Sequence, residues 1–169
     1  MFGDPERSRI IAYSSAFIGL IALGSWISLP IGNIPFTLQT LFVLLAGIIM
    51  HRYGAVPVFL YCILGALGLP LFHNGMAGIG VLLGPSGGYL IGFIFAGLIT
   101  GLAYEHASRP IRIGGIVCAT AVIYLFGVAW LMYSLNLTFM VAVITGVLPF
   151  IPGDAIKGIT AYLIGERLP

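Results

Sequence analysis

Three long stretches of this chain contain no aspartate, glutamate, lysine or arginine: residues 10–51, 53–104 and 113–153. A helix that crosses a bilayer needs about 20 apolar residues, so each stretch is long enough for about two crossings. Of the 169 residues, 60% are hydrophobic and 7% are charged, whereas soluble globular chains average about 25% charged residues. This pattern excludes an ordinary soluble domain, a disordered chain and a coiled coil. It predicts an all-α integral membrane protein with a single domain over residues 1–169.

Turn-forming residues interrupt each charge-free stretch near its middle. The interruptions contain proline, glycine or asparagine and lie at residues 30–35, 70–88 and 134–136. Such clusters mark turns between membrane segments. We therefore predict three membrane hairpins with six transmembrane helices, at about residues 10–29, 36–51, 54–71, 87–104 and 113–133, with a last helix that ends near residue 165.

The last membrane segment is too long to be one straight helix. Residues 138–165 would extend about 42 Å as a continuous helix, whereas the hydrocarbon core of a bilayer is about 30 Å thick. Pro149 and Pro152 interrupt this segment. We predict a short helix over residues 138–148 at the outer boundary, a break at Pro149/Pro152, and a final helix that begins near Pro152, because proline fits the first helical turn.

The arginines predict how these helices are oriented. With six crossings, all six arginines fall on one side of the membrane: Arg7, Arg9, Arg52, Arg109, Arg112 and Arg167. Basic residues that flank spans stay on the cytoplasmic side. Both termini are therefore predicted to be cytoplasmic in a multi-pass protein of the cell membrane. The net charge of +2 is too small to indicate nucleic-acid binding.

Asp154 and Lys157 are the only charged residues that this topology places away from the cytoplasmic edge. A charge at this depth costs about 2.5 kcal/mol or more, and an ionisable residue inside the membrane indicates a functional site by default. Their i, i+3 spacing places them on one helix face, close enough to pair. A purely structural ion pair is the alternative. The broken helix favours a polar-ligand site, since irregular backbone at membrane depth lines a cavity.

Uncharged polar residues cluster on the same outer side. Gln39 opens the second predicted span, Asn74 lies in the second outer loop, and Tyr89 opens the fourth span. Gln39 and Asn74 can each donate and accept hydrogen bonds, as a small polar ligand requires. Taken singly, each residue is equally compatible with a role in a loop or a helix cap. Their shared location beside Asp154 and Lys157 is the stronger indication of a site.

Small residues at four-residue spacing indicate faces where helices pack closely. The fourth span carries such a stripe, which we expect to pack within the bundle: Gly84, Gly88, Gly92 and Ala96, joined by Gly97 and Gly101. In the first span Ala12 and Ala16 form a shorter stripe, and the next position is Leu20. This second stripe serves either an internal contact or a contact with a partner.

Motifs for nucleotide binding, metal binding and redox chemistry are missing from the sequence. It contains no GxxxxGK[ST] phosphate loop, and neither of the metal or redox motifs HExxH and CxxC. We therefore expect no catalytic residue, no metal site and no cofactor, and any ATP-driven step requires another protein. A membrane enzyme that uses Asp154 and Lys157 as acid and base is a less favoured alternative, and a small channel or structural bundle is another.

Several stretches resemble the BioY family, the biotin-specific S components (substrate-binding subunits) of energy-coupling-factor (ECF) vitamin transporters. Residues 35–40 read PFTLQT, residues 80–90 read GVLLGPSGGYL, and residues 152–157 read PGDAIK, which fits the pattern PGDxxK. Further similar stretches cover the chain in order from the first span to the last. Residues 105–146 contribute little to the resemblance.

The resemblance implies a six-helix S component that binds biotin with high affinity in a pocket open to the outside. It implies five ligand-binding residues: Asp154, Lys157, Asn74, Gln39 and Tyr89. It also implies contact with the transmembrane coupling subunit through Ala12 and Ala16, since S components meet that subunit through a small-residue face on the first helix. A separate ATPase pair would supply the energy. An S component for another small vitamin is the alternative.

Overall fold

Helices form most of the structure, a computed structural model that describes residues 4–31 and 34–168. Its eight α-helices are α1 (Pro5–Trp26), α2 (Gln39–Met50), α3 (Ala55–Ala66), α4 (Ile79–Leu83), α5 (Gly87–Tyr104), α6 (Arg109–Ser134), α7 (Phe139–Gly146) and α8 (Ile151–Gly165). Two strands, β1 (Ser28–Ile31) and β2 (Ile34–Thr37), lie between α1 and α2. Short 3-10 turns occur at His51–Tyr53 and His73–Gly75.

Three of these helices, α1, α5 and α6, are long and apolar enough to cross a membrane by themselves. The other candidates are two bent pairs: α2 with α3, which turn by 117°, and α7 with α8, which turn by 55°. Length and composition therefore give three spans in the described residues, or up to five if each bent pair is one span. The count of six remains a prediction, as do the cytoplasmic termini.

The bend between α2 and α3 lies at Arg52, where the sequence predicts a turn between two spans. Both helices are shorter than the predicted spans at 36–51 and 54–71, with 12 residues each. Before α2 the chain is extended in β2, and after α3 the positive φ of Gly68 (109°) and the following Pro70 exclude further helix. Extended and looped segments thus replace the outer ends of these two predicted spans.

The predicted all-α class is confirmed, and the fold adds one small element that the sequence does not predict, a two-stranded antiparallel ribbon formed by β1 and β2. In its register Pro30 lies opposite Pro35, and Ser28 opposite Thr37. Proline is excluded from helix interiors but is tolerated on edge strands, and both strands of this ribbon are edges. The predicted turn at residues 30–35 therefore overlaps an extended strand at each end. The predicted turn residues Gly32 and Asn33 lie outside the described residues.

Proline is the first or second residue of three helices, namely Pro5 in α1, Pro110 in α6 and Pro152 in α8. Its missing N–H has no partner to lose at this position. The predicted break in the last segment is confirmed, since residues 147–150 separate α7 from α8 and include Pro149. The final helix begins at Ile151, one residue before the predicted start.

The glycine stripe on α5 packs inside the bundle, as predicted. A Cβ added to Gly92 would lie 2.8 Å from Cα of Ile123 on α6, and one added to Gly97 would lie 2.8 Å from the carbonyl oxygen of Gly54. Gly88 and Gly101 similarly face α6 and the turn at His51–Tyr53. Gly84 precedes α5 and meets only carbonyls of α4. Glycine is therefore what lets α5 lie close to both of its neighbours.

Ion pairs join several helix ends where the arginines lie. Arg52 donates two hydrogen bonds to Glu105, at 2.7 and 3.0 Å. Arg112 and Arg109 both donate to Glu166, at 2.8 and 3.2 Å. Hydrogen bonding from Arg52 lowers the pKa of the Glu105 carboxyl, and hydrogen bonding from Arg112 lowers the pKa of the Glu166 carboxyl. These pairs therefore contribute stability above the ordinary carboxyl pKa, and the contribution is lost as pH falls through the lowered value.

The packing of α5 generates a test with two glycine-to-alanine substitutions. Gly92→Ala should lower the free energy of unfolding by about 1–3 kcal/mol, because its Cβ would overlap the α6 backbone. Gly19→Ala is the matched control, since a Cβ there meets nothing within 4 Å and alanine is favoured in a helix interior. Thermal unfolding of the two purified proteins in one detergent compares them. Equal melting temperatures would show that α5 and α6 are not in close contact.

The predicted topology generates a labelling test in intact cells. With Cys62 and Cys118 replaced, a cysteine at Gly75 or Asn136 should react with an impermeant thiol reagent added outside. A cysteine at Ser108 should react only after the membrane is opened, because the arginine-flanked turns are predicted to be cytoplasmic. Labelling of position 108 from outside would invert the orientation.

Candidate functional site

A buried ion pair lies in the first turns of α8. Lys157 Nζ donates to Asp154 Oδ1 at 2.8 Å, and the two side chains are only 5% and 7% exposed. The pairing predicted from their i, i+3 spacing is confirmed. Asp154 lies in the first turn of the helix, where the macrodipole favours a negative charge.

Two residues from other elements complete the surroundings of this pair. The hydroxyl of Tyr124, on α6, donates to Asp154 Oδ2 at 2.6 Å, so both carboxylate oxygens accept a hydrogen bond. Lys157 Nζ lies 3.7 Å from the ring centroid of Phe36, on β2, which is a cation–π contact. Gly153 allows this arrangement, because a Cβ there would overlap the Phe36 ring. The pair is thus held between α8, α6 and the β-ribbon.

A second set of hydrogen bonds fixes Gln39 at the start of α2. Its amide nitrogen donates to the Tyr61 hydroxyl at 2.8 Å, and its amide oxygen accepts from the Thr37 hydroxyl at 3.0 Å. The Tyr61 hydroxyl in turn donates to the carbonyl of Leu71 at 2.9 Å. Gln39 is 6% exposed, so these bonds orient a buried amide whose second N–H is left for another acceptor.

Both groups face one cavity between the β-ribbon and helices α2, α5, α6 and α8. Apolar atoms make up most of the exposed area of its wall, and the apolar side chains include Ile34, Phe72, Leu90, Phe93, Ile123 and Phe150. Its polar wall residues include Thr37, Gln39, Thr40, His73, Ser86, Tyr89, Tyr124, Asp154 and Lys157. A concave, mostly apolar pocket with a few fixed polar groups is typical of a small-molecule site.

Four of the five predicted site residues therefore meet at this cavity, and Asn74 does not form part of its wall. The Asn74 side-chain oxygen accepts a hydrogen bond from the Ser28 hydroxyl at 2.7 Å, and its backbone adopts a positive φ of 56°. Its neighbour His73 lines the cavity instead. Tyr89 contributes its ring, because its hydroxyl donates to the carbonyl of Gly146 on α7 at 2.8 Å.

Tyr124 and Phe36 contact the ion pair, although the sequence does not single them out as site residues. Tyr124 lies in a long apolar helix within the part of the chain that contributes little to the family resemblance. Phe36 lies inside the PFTLQT stretch, so its position beside Thr37 and Gln39 is the feature of the sequence that could have indicated a role in the site.

The remaining candidate chemistries find little support in the geometry. Among residues 4–31 and 34–168, no three His, Cys, Asp or Glu side chains lie close enough together to hold a metal ion. Residues 84–88 read GPSGG and fit the GxSxG pattern of serine hydrolases, with Ser86 in the nucleophile position. That motif requires a strand before the serine, and here helix α4 precedes it.

The small-residue stripe of α1 lies apart from the cavity. Ala12 and Ala16 are exposed, and a Cβ added to the nearby Gly19 would meet nothing within 4 Å. Neither alanine belongs to the cavity wall. The stripe therefore lies on the exposed side of α1, unlike the buried stripe on α5.

Comparison with known proteins identifies the family and the fold of this chain. The sequence profile of the BioY family matches residues 4–169, nearly the whole chain. The chain belongs to the BioY family. The family resemblance inferred from the PFTLQT, GVLLGPSGGYL and PGDxxK stretches is thereby confirmed.

Individual members of the BioY family are similar to this chain over almost their full length. It is 40% identical over 163 residues to the probable biotin transporter BioY of Pyrococcus horikoshii, covering 96% of this chain and 97% of the relative. It is also 40% identical to the biotin transporter BioY of Thermotoga maritima, with 95% of each chain covered. A crystal structure of the S-component for biotin from an ECF-type ABC transporter matches the fold with a TM-score of 0.87. The two chains are 26% identical, and the match covers 99% of this chain and 94% of the other.

Proposed function

We propose that this chain is the biotin-binding S component of an ECF-type transporter and acts in biotin uptake across the cell membrane. The observation that carries the proposal is the buried Asp154–Lys157 pair in the wall of a mostly apolar cavity, within the fold of the BioY family. Relatives named as biotin transporters and a biotin S-component of the same fold support it.

The chemistry of biotin fits the groups that line the cavity. Biotin carries a ureido ring with two N–H donors and one carbonyl, a thioether ring and an aliphatic acid tail. Asp154 can accept hydrogen bonds from the ureido N–H groups, and Lys157 can donate to the ureido oxygen or to the tail carboxylate. The apolar wall suits the thioether ring and the aliphatic chain. An analogue without the ureido group would leave buried charges unpaired, which is a strong basis for discrimination.

The other proposed ligand contacts differ in whether the residue lines the cavity. Gln39 offers one amide N–H from the cavity wall, and Tyr89 offers its ring. Contact with Asn74 stays a prediction, because its side chain bonds to Ser28 and does not form part of the cavity wall. The cavity-lining residues therefore form the core of the proposed site.

Binding alone does not move biotin against a gradient, so the proposal includes partners. The sequence contains no phosphate loop, and energy would come from an ATPase pair acting through a transmembrane coupling subunit. We assign the contact with that subunit to Ala12 and Ala16, because an exposed small-residue face permits close approach of a partner helix. No catalytic residue and no cofactor form part of this function.

The ion pair gives the first functional test. Asp154→Asn and Lys157→Ala should each weaken biotin binding by about 2 kcal/mol or more, the usual effect of truncating a buried charged hydrogen bond. Isothermal titration on detergent-purified protein measures the affinity, and thermal unfolding shows whether each variant is folded. Near-normal affinity in both folded variants would leave only a structural role for the pair.

Two tyrosines on α6 provide a graded control. Tyr124→Phe removes one hydrogen bond to Asp154 and should weaken binding by about 1 kcal/mol, less than loss of either charge. Tyr133→Phe removes a hydroxyl from a side chain that is 77% exposed and should leave the affinity unchanged.

A panel of other vitamins in the same titrations tests the alternative ligand class, and a tighter-binding vitamin would replace biotin in the proposal.

The stripe on α1 gives the second functional test. Ala16→Trp should preserve biotin binding by the purified chain but abolish uptake in cells and co-purification with the coupling subunit, because a large side chain blocks close helix approach. Ala129→Trp, at an exposed alanine on α6, should preserve all three activities. Unchanged uptake and co-purification in Ala16→Trp would place the docking face elsewhere on the chain.

A further inference from the structure

A second concave feature, separate from the ligand cavity, runs between α6 and α8. This groove measures about 510 Å³ and is almost entirely apolar, with walls that include Ile113, Val117 and Ala121 on α6 and Ala155, Ile159 and Tyr162 on α8. Val117 and Ile159 are 62% and 60% exposed, so the groove opens toward the surroundings of the bundle. In a membrane protein those surroundings are lipid chains.

The length of the groove matches the hydrocarbon thickness of one leaflet of a bilayer. Its lining runs from Ile113 to Tyr124 on α6 and from Ile151 to Tyr162 on α8. Eleven helical steps of about 1.5 Å give about 16 Å, which is about half of a hydrocarbon core that is about 30 Å thick. The groove is thus as long as an acyl chain that reaches from the interface to the midplane.

One end of the groove carries a surplus of positive charge. Ile113 directly follows Arg112, and Tyr162 precedes Glu166 and Arg167, so three arginines and one glutamate surround this end. Arg109 has a side chain that is 78% exposed, and it bonds to Glu166 through Nε. Its two terminal amino groups make no hydrogen bond with the described residues and remain available to an anion. Guanidinium groups bind phosphate in a bidentate manner, and basic pockets between membrane helices bind anionic headgroups.

We propose that this groove binds one acyl chain of an anionic phospholipid from the leaflet at the arginine end, with its phosphate group on Arg109. The apolar lining and the length of the groove account for the acyl chain, and the surplus of arginine accounts for the headgroup. At its far end the chain would pack against Tyr124 and Asp154, which line both the groove and the ligand cavity. A bound chain would therefore cover the membrane side of the ion pair and keep water from it.

Native mass spectrometry of the full-length, delipidated protein in detergent tests this site without biotin, so its outcome is independent of the proposed function. The protein is titrated with palmitoyl-oleoyl phosphatidylglycerol and, separately, with the zwitterionic phosphatidylcholine of the same chains. The first phosphatidylglycerol should bind about fivefold more tightly than the first phosphatidylcholine, which corresponds to about 1 kcal/mol for one basic contact. Arg109→Gln should remove this preference, while Arg7→Gln, at an exposed arginine on α1, should retain it.

The acyl-chain part of the proposal needs variants that fill the groove. Ala121→Phe and Ala155→Phe should weaken the first binding event for both lipids by about fivefold or more, and Ala129→Phe, at an exposed alanine of α6 outside the groove, should not. Equal affinity for the two lipids in the unchanged protein, or equal loss of preference in Arg109→Gln and Arg7→Gln, would overturn the headgroup site. Unaltered lipid binding in both groove-filling variants would overturn the groove. A dimer that these variants dissociate would assign the groove to a second copy of the chain.

Discussion

The buried ion pair between Asp154 and Lys157 imposes the strictest condition on this fold, because two charges taken out of water need partners inside the protein. Lys157 and Tyr124 each donate to one oxygen of the carboxylate, and the ammonium group lies against the face of Phe36. These partners belong to three different elements. The break before α8, the crossing of α6 and the β-ribbon must therefore all be in place before the pair is tolerated.

Glycine on α5 determines how closely those elements can approach. Apolar side chains gain little by leaving lipid for the bundle interior, so membrane helices depend on close packing. Gly92 brings α5 against Ile123, one residue before Tyr124, and Gly97 brings it against the turn between α2 and α3. The same helix therefore positions α6, which carries the tyrosine of the site, and α2, which begins at Gln39. The stripe thus packs α5 against α6 beside residues that line the ligand cavity, among them Tyr89 and Ile123.

The sequence predicts those features that depend on residues close together along the chain. Charge-free stretches indicate membrane helices, proline positions indicate the break before α8, and an i, i+3 spacing indicates the ion pair. It does not predict the second hydrogen-bond donor to Asp154, because Tyr124 and Tyr133 look alike in an apolar helix and only the crossing of α6 and α8 distinguishes them. The ribbon was also missed, since prolines show where a helix stops but not which extended segments then pair. For Asn74 the sequence predicts a site residue in the second outer loop, but its side chain accepts a hydrogen bond from Ser28 and does not line the cavity.

Side-chain hydrogen bonds connect α6 and α8 near both ends of their interface. At one end Tyr124 bonds to Asp154, and at the other Arg112 bonds to Glu166. Between these two polar contacts lies the apolar groove, where Gly158 and Ala155 offer little side chain to fill the space. Asp154 and Glu166 are separated by twelve helical steps, about 18 Å, so a single rigid helix connects the ligand site to the arginine end.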